Sequence, residues 1–294
     1  MTTFHCGSVC IAGRPNVGKS TLLNRLVGTK IAAVSSRAQT TRQLVRGIAT
    51  TADCQIVFVD SPGLQGTYTN QLSRVMNRRA SGAIADSDLI LAVVSAGRLD
   101  AETKRVIEHI PSGQPVVAAI NKVDLLSDKQ TLLPLIRSIA EIRDFLAIVP
   151  VSAKSGYGIS ELRMELCNRL PEQEALYPAD DLTDQDERFF AVEFMREKLF
   201  HNLGEDIPYR CEVVLDDFKD DNGIRRIAMT IYVERDSQKS IVIGSGGEKL
   251  KRIAELARAD MERLFGGKVF LSVWVKVRKG WTDDARILAQ FGHG

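Results

Sequence analysis

The chain has 294 residues, about two domains at the usual ~150 residues each, and its 44% hydrophobic and 26% charged content is that of a globular protein with a sizeable core. Thirty-nine Lys and Arg against thirty-seven Asp and Glu give a net charge of +2, which excludes a histone-like polycation and requires any basic patch to be local. No apolar run approaches the roughly 18 residues of a membrane span, and Met1–His5 lacks the basic-then-apolar order of a secretory signal, so the cytosol is the expected compartment.

The first half alternates apolar runs with helical patterns. Val9–Ala12, Gln55–Val59, Leu89–Val94, Val116–Ile120 and Ile148–Val151 are apolar on both faces, the signature of buried parallel strands, and predict an α/β doubly wound, mostly parallel sheet. Cys6 and Cys10 flank the first of these strands. With Cys54, Cys167 and Cys211 they make five, an odd count without a CxxC pair, which reads as reduced structural thiols rather than disulfides or zinc ligands.

Directly after the first strand, Gly13-Arg14-Pro15-Asn16-Val17-Gly18-Lys19-Ser20 fits GxxxxGK[ST] and opens a helical pattern that continues through Thr21 to Val27. In that context the glycines let consecutive N–H groups and the helix N-terminus face phosphates. Lys19 adds a point charge at the β/γ-phosphates and Ser20 a Mg²⁺ ligand. Between Ser20 and the next strand, Gln39-Thr40-Thr41-Arg42 offers a switch hydroxyl for Mg²⁺, Thr41 being favoured over Thr40; a polar surface loop is the plain alternative.

Asp60-Ser61-Pro62-Gly63 follows the strand Gln55–Val59. Asp60 there reaches Mg²⁺ through water, and the Gly63 N–H is offered to a γ-phosphate. Leu64 comes next, an apolar side chain that cannot orient an attacking water, so intrinsic turnover is expected to be slow. After Val116–Ile120 comes Asn121-Lys122-Val123-Asp124. Asp124 accepts hydrogen bonds from the ring N–H and exocyclic amine of guanine, and adenine would leave it unpaired. Asn121 braces the loops, and the Lys122 stem covers one face of the base. Ser152-Ala153-Lys154, after the last strand, supplies an N–H for the guanine oxygen.

Around Pro171–Arg188, two prolines and a run of acids mark a linker, set at residues 173–188, between a nucleotide domain, 1–172, and a second domain, 189–294. The second half reads α-β-β-α-α-β: a helix near Asp184–Phe200, strands near Tyr209–Asp217 and Arg225–Arg235, two helices about a glycine turn, and a strand at Lys268–Val277. Ile243-Gly244-Ser245-Gly246-Gly247-Glu248-Lys249-Leu250-Lys251-Arg252 places GxxG where a nucleic-acid backbone can approach, with apolar residues on either side as a groove floor. From Ile241 to Trp281 nine basic residues face four acidic ones, an excess of +5 that includes Lys249, Lys251, Arg252, Lys276, Arg278 and Lys279. Arg258 and Arg263 read as a solvated helix face, Trp274 as core, Trp281 as open between core and base stacking, and Phe291–Gly294 as a tail with no assignable role.

The nucleotide motifs resemble those of translation-factor-type P-loop GTPases, and the GxxG frame resembles a type II KH domain. In this order, with Arg196-Glu197-Lys198-Leu199 and the ending Trp274-Val275-Lys276-Val277, the whole chain resembles the Era family of bacterial GTPases. The resemblance implies GTP hydrolysis to GDP, with Mg²⁺, coupled to binding the 3′ end of 16S ribosomal RNA in a maturing 30S subunit. It also implies K⁺ near Asn16 in place of an arginine finger, although Asn16 reads equally as a loop-shaping residue, and peripheral association with the inner membrane. The expected chain is a monomer without a DNA partner. An adenine-nucleotide P-loop enzyme and a passive RNA-binding module with a vestigial pocket are the rival readings; the intact guanine-reading loops stand against both.

Overall fold

The computed structural model describes residues 3–35, 37, 40–64, 70–97, 99–204 and 206–293. Contacts divide it into two units. The first comprises residues 1–32, 41–68 and 76–184, the second 33–40, 69–75 and 185–294.

In the first unit, six strands line up as β2-β3-β1-β4-β5-β6, with β1 His5–Ala12, β2 Val45–Thr50, β3 Cys54–Asp60, β4 Leu89–Ser95, β5 Val116–Asn121 and β6 Ala147–Pro150. All neighbours run parallel except β2, which pairs antiparallel with β3. β3 and β5 are buried along their whole length, and so is β4 up to Ser95. Each buried Val, Leu or Ile contributes about 1.5–3 kcal/mol, which is why these runs are apolar on both faces. Helices α1 (Lys19–Val27), α2 (Gln71–Ala85), α3 (Ala101–Glu108), α4 (Leu132–Ala140) and α5 (Ile159–Cys167) separate the strands.

β2 was not anticipated. Its sequence, Val45-Arg46-Gly47-Ile48-Ala49-Thr50, breaks strand alternation at Gly47, and as an outer strand it has a partner on one side only. Residues 173–184, read from sequence as linker, are hydrogen-bonded to this unit. The Gln55 side chain accepts from the N–H groups of Leu176 and Tyr177 and donates to the Tyr177 carbonyl, and Ile48 N–H donates to the Leu182 carbonyl.

The cysteine reading needs one correction. Cys54, in β3, and Cys167, in α5, are 113 positions apart in sequence and joined as a disulfide, because α5 folds back over the start of β3. Cys6, Cys10 and Cys211 are free and buried. Burial pushes the Cys10 thiol up to about 12, so it is inert at neutral pH.

The second unit carries α6 (Glu187–Asn202), β7 (Cys211–Asp221), β8 (Ile224–Val233), α7 (Asp236–Ile243), α8 (Glu248–Phe265), β9 (Lys268–Val277) and α9 (Ala285–Gln290). β7 and β8 are antiparallel, β8 and β9 parallel, and β9 forms an edge. The α-β-β-α-α-β order matches the expectation; α9 is additional. Asp186 caps α6 through the Phe189 N–H, so the helix begins three residues later than the pattern suggested.

Here the tail acquires a role that sequence did not give it. Phe291 stacks on Tyr232 at 4.7 Å, and buried His293 meets the Glu212 carboxylate at 3.0 Å; Gly294 lies outside the described residues. Glu212 also pairs with Arg196, itself buried and joined to Glu193, so one buried guanidinium serves two buried carboxylates. Trp281 is fully buried and donates Nε1–H to the Arg210 carbonyl, which resolves its open reading in favour of the core. Trp274 goes the other way: it is 51% exposed, not core. Among the described residues no helix is long and apolar enough to cross a membrane.

Candidate functional site

Four loops at the carboxyl ends of β1, β3, β5 and β6 carry the nucleotide motifs. Gly13 through Gly18 turn from β1 into α1, and Lys19 begins the helix. Gly18 has φ 98°, and a Cβ there would run into the Asn121 amide, so the position tolerates only glycine. Asn16 is a non-glycine residue at φ 65°, exposed, with its carbonyl accepting from the Lys122 ammonium. Arg14 turns away from the loop to pair with Asp100 and Glu102 at the start of α3. Val17 is buried, and Thr21 is half-buried in the first turn of α1.

Lys19 is buried, its ammonium donating to the carbonyls of Gly13 at 3.1 Å and Arg14 at 3.0 Å. Desolvation lowers its pKa, and the charge of Asp60 opposes that shift. Asp60, at the end of β3, is fully buried, and burial pushes its carboxyl up to about 6 against the pull of Lys19 and Ser20. Its Oδ2 accepts from the Ser20 hydroxyl at 2.7 Å, while its Oδ1 has no hydrogen-bond partner among the described residues. An orphaned, buried carboxylate oxygen beside hydroxyls is a donor set for a hard cation such as Mg²⁺.

The same Ser20 hydroxyl lies 3.0 Å from the Thr41 hydroxyl, whereas Thr40 donates to the Arg37 carbonyl. The loop therefore brings Thr41 to the cluster and turns Thr40 away. Gln39 lies outside the described residues. Ser61 donates to the Ile11 carbonyl, Pro62 is buried, and Gly63 approaches Pro15 so closely that a Cβ would lie 2.8 Å from its nitrogen.

Leu64 is 4% exposed and joins the core formed by Val59, Ala80, Ala83 and Ile84. It is thus a packing residue, unavailable to a water. We expect Leu64→Gln to leave single-turnover hydrolysis no faster and to lower stability by about 1–3 kcal/mol, since it buries an amide where a methyl group sat. Thermal melting and a quenched-flow measurement on the same preparation check both halves.

At the base end one side chain holds three loops. Asn121 donates from Nδ2 to the Val17 carbonyl at 2.9 Å, and its Oδ1 accepts from the N–H groups of Lys122 at 2.8 Å and Ala153 at 3.0 Å. Lys122 occupies a left-handed conformation at φ 68° and lies along the phosphate loop. Asp124 is exposed, with Oδ1 fixed by the Ser152 hydroxyl at 2.6 Å. Lys154 is exposed too.

Sequence reasoning missed two supports. Arg25 donates to the carbonyls of Ala153 and Lys154, fixing the third loop from the last turn of α1. Asn24 clamps the start of the following loop through Ile31 and Ala32. Neither residue sits in a recognisable motif; only the fold brings them to their partners.

In the second unit GxxG lies between α7 and α8. Gly244, Gly246 and Gly247 have φ of 75°, 57° and 84°, and a Cβ on Gly244 would meet the Lys249 Cβ at 2.6 Å. Val242 and Ile253 are spent on the core, which leaves half-buried Ile243 and Leu250 beside the turn. Ser245, Lys251, Arg252, Lys276, Arg278 and Lys279 are exposed, and Lys249 is half-buried. Arg258 and Arg263 pair with Glu262 and Asp260, as a solvated helix face requires.

The chain matches two family models, one described as a 50S ribosome-binding GTPase over residues 8–122 and one as a KH domain over 206–282. It is 47% identical to GTPase Era of Nitrosomonas eutropha over 290 residues, covering 99% of this chain and 98% of that one. Against GTPase Era of Stenotrophomonas maltophilia it is 46% identical over 293 residues, with coverage of 99% and 98%. Among solved structures, an Aquifex aeolicus Era variant bound to GDP·AlF4⁻ superposes with a TM-score of 0.95 at 34% identity, covering 99% of this chain and 100% of that one. An Era complex with MgGDPNP and nucleotides 1506–1542 of 16S ribosomal RNA gives 0.94 at 34% identity, covering 99% of each. With both halves matched in one continuous alignment, the chain belongs to the GTPase Era family.

Proposed function

We propose that this protein is a slow GTPase that couples the state of its guanine nucleotide to binding of the 3′ end of 16S ribosomal RNA during 30S subunit assembly. The observation that carries the reading is the position of Thr41. Its hydroxyl meets Ser20 beside the orphaned Asp60 oxygen. Within the second unit, Val34 N–H donates to the Glu197 carboxylate of α6. Glu197 pairs with Lys198, and Lys198 pairs with Asp260 of α8, the helix that follows GxxG.

Residues 1–172 form the GTP-binding part, 189–294 the RNA-binding part and 173–188 the join. Ser20, Thr41 and Asp60 would hold Mg²⁺, the two hydroxyls as ligands and the carboxylate as the supporting charge. Mg²⁺, when bound, neutralises charge on the β- and γ-phosphates. Lys19, now donating to two carbonyls, exchanges them for phosphate oxygens, and the N–H groups of residues 13–21 and of Gly63 line the phosphate path. Asp124 reads guanine, Ala153 N–H meets its oxygen, and Lys122 covers its face. Asn16 is the K⁺ candidate by family likeness. Relatives solved with GDP·AlF4⁻, MgGDPNP and a 16S fragment support the choice of ligands. The chain works as a monomer in the cytoplasm, and family likeness adds peripheral contact with the inner membrane.

Residues 34–47 and the segment after Gly63, of which 36, 38, 39 and 65–69 lie outside the described residues, carry the nucleotide signal. The test is RNA affinity measured with a GTP analogue and with GDP. We expect tighter binding in the GTP state by about 5- to 150-fold, and by linkage RNA should tighten the GTP analogue by the same factor. Equal affinities would return the protein to a passive RNA-binding module; an equal response to ATP would return it to the adenine class.

A further inference from the structure

We propose that the solvent face of β9 is a second RNA-binding surface, on which Phe270 and Trp274 stack unpaired bases between the phosphate-pairing cations Lys268 and Lys276. The register of β9 against β8 runs unbroken from Ile224 opposite Lys268 to Val233 opposite Val277. With a strand period of two, Lys268, Phe270, Ser272, Trp274 and Lys276 therefore share one face. The other face of the sheet is the packed one, where Val269, Val275, Ile227, Met229, Ile231 and Val233 are buried.

The core thus gains little from the two rings, which are 56% and 51% exposed at Phe270 and Trp274. Two large aromatics left open on an edge strand are a binding feature in search of a ligand. The charge pattern says which ligand. β9 carries no Asp or Glu, and no ion pair of Lys268 or Lys276 is present among the described residues. Arg226, opposite Phe270, lies 5.6 Å from that ring's centroid and is paired with Asp221 of β7, so the unpaired cations of the face are the two lysines of β9. Aromatic faces stack on any base while flanking cations meet the phosphates, so single-stranded RNA is the complementary polymer. The inference takes the nature of the polymer from the RNA reading above and adds a surface separate from the GxxG turn.

Trp274 makes the test direct, because Trp281, the other of the two tryptophans, is buried out of reach of an added polymer and gives a constant background. The full chain, loaded with GTP analogue, is titrated with an unstructured RNA of about twelve nucleotides, following tryptophan fluorescence and, separately, affinity. A saturable quench is expected, both in the parent protein and in Gly246→Asp, which places an acid in the GxxG turn. Trp274→Ala and Phe270→Ala should each weaken binding about 5- to 100-fold, Trp274→Phe should retain most of it, and thermal stability and RNA-free hydrolysis should not change.

No quench, or affinity within twofold of the parent in Trp274→Ala, overturns the proposal. So does loss of the quench in Gly246→Asp, which would leave the GxxG reading standing alone. A Trp274→Ala effect on self-association in place of RNA affinity would mark the face as a protein contact and also overturn it.

Discussion

Asp124→Asn is expected to cost the protein about 10⁴-fold in preference for GTP over nucleotides that cannot pair with a carboxylate. Ser152 holds the carboxylate through Oδ1, and a carboxylate is the acceptor that a base carrying two adjacent donors requires. An amide at that position presents an N–H₂ to the guanine amine, donor against donor. Xanthine carries a carbonyl where guanine has the amine, so the variant should take up xanthosine triphosphate in its place. Competition binding of GTP, ATP and xanthosine triphosphate to both proteins checks this. Unchanged GTP affinity in the variant would sink the guanine-reading role and with it the pocket's assignment.

Lys19→Ala is the second large effect, a loss of about 10²–10³-fold in kcat/KM for GTP hydrolysis. Its ammonium is buried, held by two loop carbonyls and set against a buried carboxylate whose pKa already stands near 6. Without it Asp60 loses its nearest positive charge, so the variant should also bind nucleotide more weakly. Lys19→Arg, which keeps the charge but changes its shape, should not restore the rate, because the space between the Gly13 and Arg14 carbonyls is fitted to a compact head. Stopped-flow nucleotide binding with single-turnover hydrolysis separates the two losses. RNA affinity without nucleotide should stay as in the parent, and a fall there would point to misfolding.

The nucleotide site was legible because its chemistry is local in sequence. Each loop follows an apolar strand, and the strand marks which turn faces the site. Thr41 was harder, since only the fold distinguishes it from Thr40: one hydroxyl reaches Ser20 and the other its own chain at Arg37. Long-range pairs were illegible for a related reason. Cys54 and Cys167 meet across 113 positions, and His293 meets Glu212 across 81, and no spacing rule encodes either encounter. Trp274 was misread because alternation on a strand identifies two faces without saying which is covered. β2 escaped because an outer strand with an arginine and a glycine carries too little apolar signal.

Asn121 ties the phosphate loop, the base loop and the third loop through a single amide. The three loops around a bound guanosine therefore share one tie, and a disturbance of any one of them is felt by the other two.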